Sequence, residues 1–239
     1  MVAGLVLVFL GALVLPVLRV LGGGREAREL RAQYATHLAC RLGIAVFVSL
    51  GVIRVEVEGW ERIRSGRLMI ANHPSLIDAV LLLSLLPTAD CVVKASHTDN
   101  FWLRQTVAAT GYIPNVKGPQ LVEECVKRLR ADRRILIFPE GTRSPRGRLG
   151  PFARGAAHIA IGAELDPIPV TLRCDPATLS RDVAWWRVPK RLPTFTVRVG
   201  EPIPIGEAAD GGFSRAQASR SVTALLQDYF ERQIERGRE

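Results

Sequence analysis

The chain has 239 residues, of which 48% are apolar and 23% are charged. This composition excludes a disordered protein, a collagen and a small disulfide-stabilised domain, and it allows a substantial hydrophobic core. With 32 basic and 23 acidic residues the net charge is +9, which favours an anionic partner. The four cysteines lie far apart without a histidine at ligand spacing, so we expect buried, reduced thiols and no metal site.

The first predicted element is an apolar helix. Residues 2–18 contain no charged side chain, and Gly22–Gly24 separate this run from the rest. No basic residue precedes the run and no small-residue cleavage site follows it, which argues against a secretory signal. We therefore predict that residues 1–22 form a membrane anchor or an in-plane helix, with a buried core helix as the alternative. The arginines that follow place the remaining chain on the cytoplasmic face: Arg19, Arg25, Arg28 and Arg31.

Strands and helices alternate along the remaining chain. A second apolar stretch, Leu42–Ile53, predicts a helix that lies on a membrane or packs on the core. The predicted strands are Val55–Val57, Leu68–Ile70, Cys91–Lys94, Ile135–Phe138, Ile168–Leu172 and Phe195–Val199, and the predicted helices are Leu76–Leu86, Leu121–Leu129 and a last one beginning near Ser214. This alternation predicts one α/β domain over residues 30–239, with a central, mostly parallel or mixed sheet covered by helices.

The first block with chemical character runs from Asn72 to Asp78, between a strand and the Leu-rich helix. Pro74 suits the first helical position, which leaves His73 in the turn ahead of the helix and Asp78 inside it. The carboxylate can then hold one imidazole nitrogen and leave the other free to accept a proton. Taken alone, a histidine with this neighbour is more often structural than catalytic.

The second block runs from Phe138 to Ser144, at the end of a predicted strand where ligands of open α/β sheets collect. Gly141 lets the backbone turn and approach a ligand closely, and Arg143 offers a planar fork for phosphate. Glu140 can accept a hydrogen bond from a hydroxyl or orient Arg143. Taken alone, this block is typical of a solvated surface turn.

Together the two blocks resemble the hallmark motifs of the glycerolipid and lysophospholipid acyltransferase family, N-H-x-x-x-x-D and F-P-E-G-T-R-S. Both motifs are complete here. Gly111–Pro114 looks like the middle block of the family, and Ile168–Val170 looks like its late strand. The resemblance covers about Val55 to Pro204, so we expect residues 30–239 to be an acyltransferase domain.

The resemblance implies that His73 takes the proton from an acceptor hydroxyl as that oxygen attacks an acyl thioester, with Asp78 supporting the imidazole. It implies acyl-CoA or acyl carrier protein as co-substrate, and neither a metal nor another cofactor. It also implies substrate-binding roles for several further residues: Asn72, Glu140, Gly141, Thr142, Arg143 and Lys117.

The middle block departs from the family pattern. Asn115 stands where many members that act on lysophosphatidate have an arginine, and Lys117 follows two residues later. A lysine is a flexible point charge and is not equivalent to arginine. The acceptor is therefore either 1-acylglycerol 3-phosphate with Lys117 supplying the charge, or a lipid with another headgroup. A catalytically inactive lipid-binding protein is a further alternative.

The expected partners are a membrane lipid acceptor, the acyl donor and the membrane surface. Basic residues outnumber acidic ones between Asn115 and Gly155, which favours anionic headgroups or phosphates. The pair Trp185–Trp186 fits either a headgroup boundary or the core. The chain has no nucleic-acid-binding motif and no G-x-S-x-G elbow, which argues against a nucleic-acid-binding protein and a serine esterase.

Overall fold

The structure is a computed structural model that describes residues 22–97, 103–116, 118–145, 148–181, 189–210 and 214–237. Its helices are α1 (Arg25–Ser49), α2 (Trp60–Ser65), α3 (Asp78–Leu85), α4 (Arg104–Thr110), α5 (Pro119–Arg130), α6 (Gly155–Ala163), α7 (Gly206–Asp210) and α8 (Arg215–Arg236). Its strands are β1 (Arg54–Glu58), β2 (Leu68–Ala71), β3 (Asp90–Lys94), β4 (Ile113–Asn115), β5 (Ile135–Ile137), β6 (Ile168–Asp175) and β7 (Thr194–Val199).

The seven strands form one mixed sheet in the order β1-β7-β6-β2-β5-β3-β4. Strands β6 and β7 pair antiparallel, and the other neighbours pair parallel. Every residue of β2 and β5 is buried, which explains why both strands are continuously apolar and do not alternate. The predicted α/β domain with a central mixed sheet is confirmed.

Helices cover both faces of the sheet. Because successive side chains of a strand point to opposite faces, Met69 contributes to one core and Ile70 to the other. On the Met69 face, α1 packs against α3, and Leu82 of α3 is fully buried. On the Ile70 face, α5, α6 and α8 supply the core, including the fully buried Phe230.

The expected N-terminal membrane helix requires a correction. Residues 2–18, which carried that prediction, lie outside the described residues. None of the helices within the described ranges is both long and apolar enough to cross a membrane. The first of them, α1, has charged residues in its first two turns and buries Gln33, His37 and Cys40 against the domain. The described fold is therefore the α/β unit without a membrane-spanning helix.

The second apolar stretch, Leu42–Ile53, is not one helix. Its first part forms the end of α1, which stops at Ser49, and Gly51 then turns the chain with a φ of 63°. Ile44 and Ile53 are buried in the core. The stretch therefore combines the end of a packed helix with the turn into β1.

Candidate active site

The two sequence blocks leave the sheet side by side. Strands β2 and β5 are parallel neighbours, with Ile70 paired to Ile137. The chain after each strand therefore emerges at the same edge, where open α/β sheets bind ligands. The backbone N–H of Ser144 donates to the carbonyl of His73 at 2.7 Å, which joins the blocks directly.

His73 and Asp78 are in contact. Nδ1 of His73 lies 2.9 Å from Oδ2 of Asp78, which also accepts the Ser75 backbone N–H at 2.6 Å. Helix α3 begins at Asp78, two residues after the start of the predicted helix Leu76–Leu86, and Pro74 is not its first residue. The intervening residues form a turn that brings the imidazole back to the carboxylate.

The two residues of this pair differ in their exposure to solvent. The Asp78 side chain is 1% exposed, whereas that of His73 is 18% exposed. Burial raises the pKa of the Asp78 carboxyl, while the hydrogen bonds from His73 and Ser75 favour its ionised form. The imidazole stacks on Phe138 with ring centroids 4.5 Å apart. With Nδ1 held by the carboxylate, Nε2 is the nitrogen left to exchange a proton.

Glu140 ties the two blocks together through both of its oxygens. Oε1 accepts the His73 backbone N–H at 3.0 Å and the Ser144 hydroxyl at 2.7 Å. Oε2 accepts the Gly150 backbone N–H at 2.7 Å. The carboxylate therefore fixes the backbone next to the imidazole and the loop that follows the second block.

Asn72 lies beneath the site and is 2% exposed. Its side-chain amide donates to the Leu172 carbonyl at 2.9 Å and accepts the Leu172 N–H at 2.7 Å. The amide thereby extends the pairing of β2 with β6 beyond the end of β2. Both its oxygen and its nitrogen form hydrogen bonds with the Leu172 backbone.

The remaining residues predicted to bind substrate lie around the second block. Gly141 has a φ of 64°, and a Cβ placed there would lie 3.9 Å from Nδ2 of Asn115, so the middle block reaches this loop. Thr142 is exposed. Nη1 of Arg143 donates to the Leu179 carbonyl at 2.9 Å and the Ser180 carbonyl at 3.4 Å. Lys117 lies outside the described residues.

A cavity of about 590 Å³ opens beside Asn72, Pro74 and Ser144. Its charged lining consists of Arg148, Arg173, Arg191, Arg198, Glu56, Glu58 and Asp175. Arg198 donates to Glu58 at 2.7 Å, which neutralises one pair and leaves the remaining lining with a cationic excess. In the part of the chain that the structure describes, no group of three or more His, Cys, Asp or Glu side chains could hold a metal ion.

Sequence reasoning missed Gly150 and Leu179. A Cβ on Gly150 would lie 2.6 Å from Oε2 of Glu140, so only glycine permits this approach. The carbonyl of Leu179 accepts hydrogen bonds from both the Arg143 side chain and the backbone N–H of Leu76. Neither position has a local sequence signal, because the partner of each lies in a different segment.

Comparison with known proteins identifies related sequences. The Acyltransferase family model matches residues 54–173. The 1-acyl-sn-glycerol-3-phosphate acyltransferase alpha of Ovis aries is 28% identical over 177 residues, which is 70% of this chain and 58% of that protein. The 1-acyl-sn-glycerol-3-phosphate acyltransferase of Cocos nucifera is 31% identical over 127 residues, which is 49% of this chain and 41% of that protein. The chain thus spans about half the length of the curated relatives it matches.

The fold also resembles a solved structure. The crystal structure of the 1-acyl-sn-glycerophosphate acyltransferase PlsC from Thermotoga maritima superposes with a TM-score of 0.66, covering 99% of this chain and 92% of that one. The two sequences are 22% identical, so this likeness concerns the fold.

Proposed function

Because the chain belongs to the Acyltransferase family, we propose that it transfers a fatty acyl group from an acyl thioester to the free hydroxyl of a lysophospholipid. The names of its relatives favour an acceptor of the 1-acylglycerol 3-phosphate type. The observation that carries the proposal is the 2.9 Å contact between His73 and Asp78, at the point where the two motif blocks meet.

The proposed reaction uses His73 as a general base. Nε2 takes the proton of the acceptor hydroxyl while that oxygen attacks the carbonyl carbon of the thioester. The C–S bond then breaks, and the leaving thiolate takes the proton back from the imidazolium. Asp78 orients the ring and stabilises its cationic form. A base positioned in this way contributes about 10²–10⁴ in rate.

The surroundings of Ser75 support direct transfer without an acyl-enzyme. Ser75 follows His73 by two residues but is fully buried. Its hydroxyl donates to the Thr178 carbonyl at 2.9 Å, so it is bound to backbone rather than to the imidazole. A serine nucleophile would need the opposite arrangement, with its oxygen exposed and bonded to the base.

The charges of the residues around the site bear on which acceptor headgroup it binds. The cationic excess of the cavity beside Pro74 supports an anionic substrate, as either a lysophospholipid phosphate or the phosphates of coenzyme A. Asn115 supports a different outcome, because an uncharged amide lies beside Gly141. A lipid acceptor whose headgroup lacks a phosphate monoester is therefore the second candidate.

An enzyme that acts on a lipid acceptor has to contact a membrane surface. One face of α1 carries exposed apolar side chains that suit such a contact. Tyr34, Leu38 and Leu42 are 50%, 46% and 60% exposed and are spaced four residues apart, so they form one stripe on the helix. The proposal places this stripe at the membrane surface. The cytoplasmic orientation stays a prediction.

The experiment is a product analysis with the full chain. We would offer 1-acylglycerol 3-phosphate, a lysophospholipid with a zwitterionic headgroup and a monoacylglycerol in lipid vesicles, each with palmitoyl-CoA or palmitoyl acyl carrier protein. We expect mass spectrometry to find a diacylated product with at least one pair, and the productive acceptor to identify the headgroup. Absence of product with every pair would contradict the proposed activity.

A further inference from the structure

One short segment, which belongs to neither motif block, forms hydrogen bonds with both of them. Residues 176–180, here called the crossing loop, follow β6 and lie against the turn that precedes α3. The Leu76 backbone N–H donates to the Leu179 carbonyl at 3.1 Å, and the Ser75 hydroxyl donates to the Thr178 carbonyl at 2.9 Å. Arg143, from the second block, donates to the Leu179 and Ser180 carbonyls on the other side.

The crossing loop contains a residue in an intrinsically unfavoured backbone conformation. Leu179 has a φ of 54°, in the left-handed region that residues with a Cβ rarely adopt. Its side chain packs against the apolar core, and its carbonyl accepts from both Leu76 and Arg143. Because the backbone does not favour this conformation intrinsically, the donors that hold the carbonyl keep the loop in place.

The crossing loop connects directly to the catalytic pair. The same turn that donates to the loop through Ser75 and Leu76 also donates the Ser75 backbone N–H to the Asp78 carboxylate. Arg143 and Leu76 thus share the Leu179 carbonyl, and the residue before Leu76 donates its backbone N–H to the carboxylate that holds His73. Asp78 and Ser75 are both fully buried, so water does not readily replace a lost bond in this set.

We propose that Arg143 is a positioning residue, whose Nη1 holds the crossing loop and thereby the turn that orients Asp78 against His73. Its catalytic consequence rests on the proposed function, whereas the structural part does not. Among the described residues, Arg143 donates its side-chain hydrogen bonds through Nη1. The other edge of the guanidinium is thus available to an anion without disturbing the loop.

The structural part is tested by amide hydrogen exchange on the full chain. We expect Arg143→Ala to speed exchange at the Leu76 amide and across residues 177–181 by about tenfold or more, because the loop loses a donor. Arg148→Ala is the matched control, since Arg148 is an exposed arginine on the same loop as Arg143 and, among the described residues, its hydrogen bond runs from its backbone N–H to the Pro145 carbonyl. Arg143→Lys gives the same readout with the charge retained. Unchanged exchange at Leu76 in both Arg143 variants would overturn the proposal.

The catalytic part is tested by separating kcat from KM. Both Arg143→Lys and Ser75→Ala should lower kcat, and the double variant should lose less than the product of the two single losses, because both bonds hold one loop. An increase in acceptor KM with kcat unchanged would make Arg143 an anion ligand only and overturn the positioning role. If no substrate pair gives product, the proposed function fails, and hydrogen exchange still decides the inference about the loop.

Discussion

Glu140 illustrates what a motif does and does not identify. The sequence predicted that it binds substrate, and the structure places it at the site but with its carboxylate occupied by His73, Ser144 and Gly150. Family motifs point to the residues that build a site. Which of them face a ligand depends on backbone donors in other segments, and Gly150 lies ten residues further along the chain than Glu140.

Gly150 gives the first prediction. We expect Gly150→Ala to lower kcat/KM for acyl transfer by about 10²-fold, because the new methyl group would displace Glu140 and shift the His73 backbone that it holds. Gly155→Ala is the matched control, since a Cβ there meets no atom within 4 Å. Equal activity of the two variants would show that Glu140 does not position the proposed base, His73.

At the scale of elements, α1 is joined to the domain through buried charge as well as apolar packing. Oδ1 of Asp90 accepts from Arg128 at 2.7 Å, Arg133 at 2.6 Å and Gln33 of α1 at 2.9 Å. The basic run around α5 was expected to face anionic partners, but Arg128 and Arg133 are committed to this internal network. Sequence could not predict this, because Asp90 lies far upstream and has no motif.

The second prediction concerns this network. We expect Asp90→Asn to lower the free energy of unfolding by about 3–5 kcal/mol, because two largely buried guanidinium groups lose their shared carboxylate. Asp132→Asn, at a side chain that is 90% exposed, should change it by less than about 0.5 kcal/mol. Urea denaturation measures both. A loss below about 1 kcal/mol in Asp90→Asn would be no larger than that of an average substitution. It would show that the network does not stabilise the attachment of α1 to the domain.

The third prediction concerns pH and Glu29 of α1. Burial by itself would raise the pKa of Glu29, but hydrogen bonds from Arg133 and Arg25 outweigh it, so the pKa lies below 4.5. A carboxyl with a lowered pKa stabilises the fold above its unfolded-state pKa, and this contribution is lost as the pH falls through the folded-state pKa. The difference in unfolding free energy between the wild type and Glu29→Gln should thus be constant near neutral pH and shrink below pH 4.5. A difference that does not vary with pH would contradict the role of these ion pairs.

Element boundaries show where sequence patterns stop being sufficient. The last helix begins after Ser214 as predicted, because its capping box with Gln217 is entirely local. The predicted helix Leu76–Leu86 starts two residues before α3, because the turn before α3 is held by Leu179 from a distant segment. Local signals are therefore visible in the sequence, whereas boundaries set by long-range hydrogen bonds are not.

At the scale of the whole molecule, the alternation of strands and helices was enough to predict the sheet and its covering helices. The strand order was not predictable, because β1 pairs with β7 across almost the whole domain. The meeting of the two motifs at one edge of the sheet followed from the sequence, since each motif comes directly after a buried strand. The position of the crossing loop did not follow from the sequence, because the strand that precedes it, β6, is brought beside the site by its pairing with β2.

The fourth prediction uses the thiols as reporters of global unfolding. Burial raises the pKa of Cys40, Cys91 and Cys125 to about 12, and that of Cys174 to about 11. All four cysteines are free. We expect Cys40, Cys91 and Cys125, which are buried, not to react with Ellman's reagent at pH 8 in native buffer, and all four thiols to react once denaturant unfolds the chain. Rapid labelling of any of the three buried thiols in native buffer would contradict a tightly packed core around them.

The most direct test of the central claim is the rate of acyl transfer by His73→Ala with the best substrate pair. We expect kcat to fall by about 10²–10⁴ while circular dichroism still reports the folded protein, because the proposed base is lost and the fold is kept. The control is His158→Ala, the same substitution at a histidine of α6, which should keep wild-type activity. Full activity in His73→Ala would contradict general-base catalysis by this imidazole.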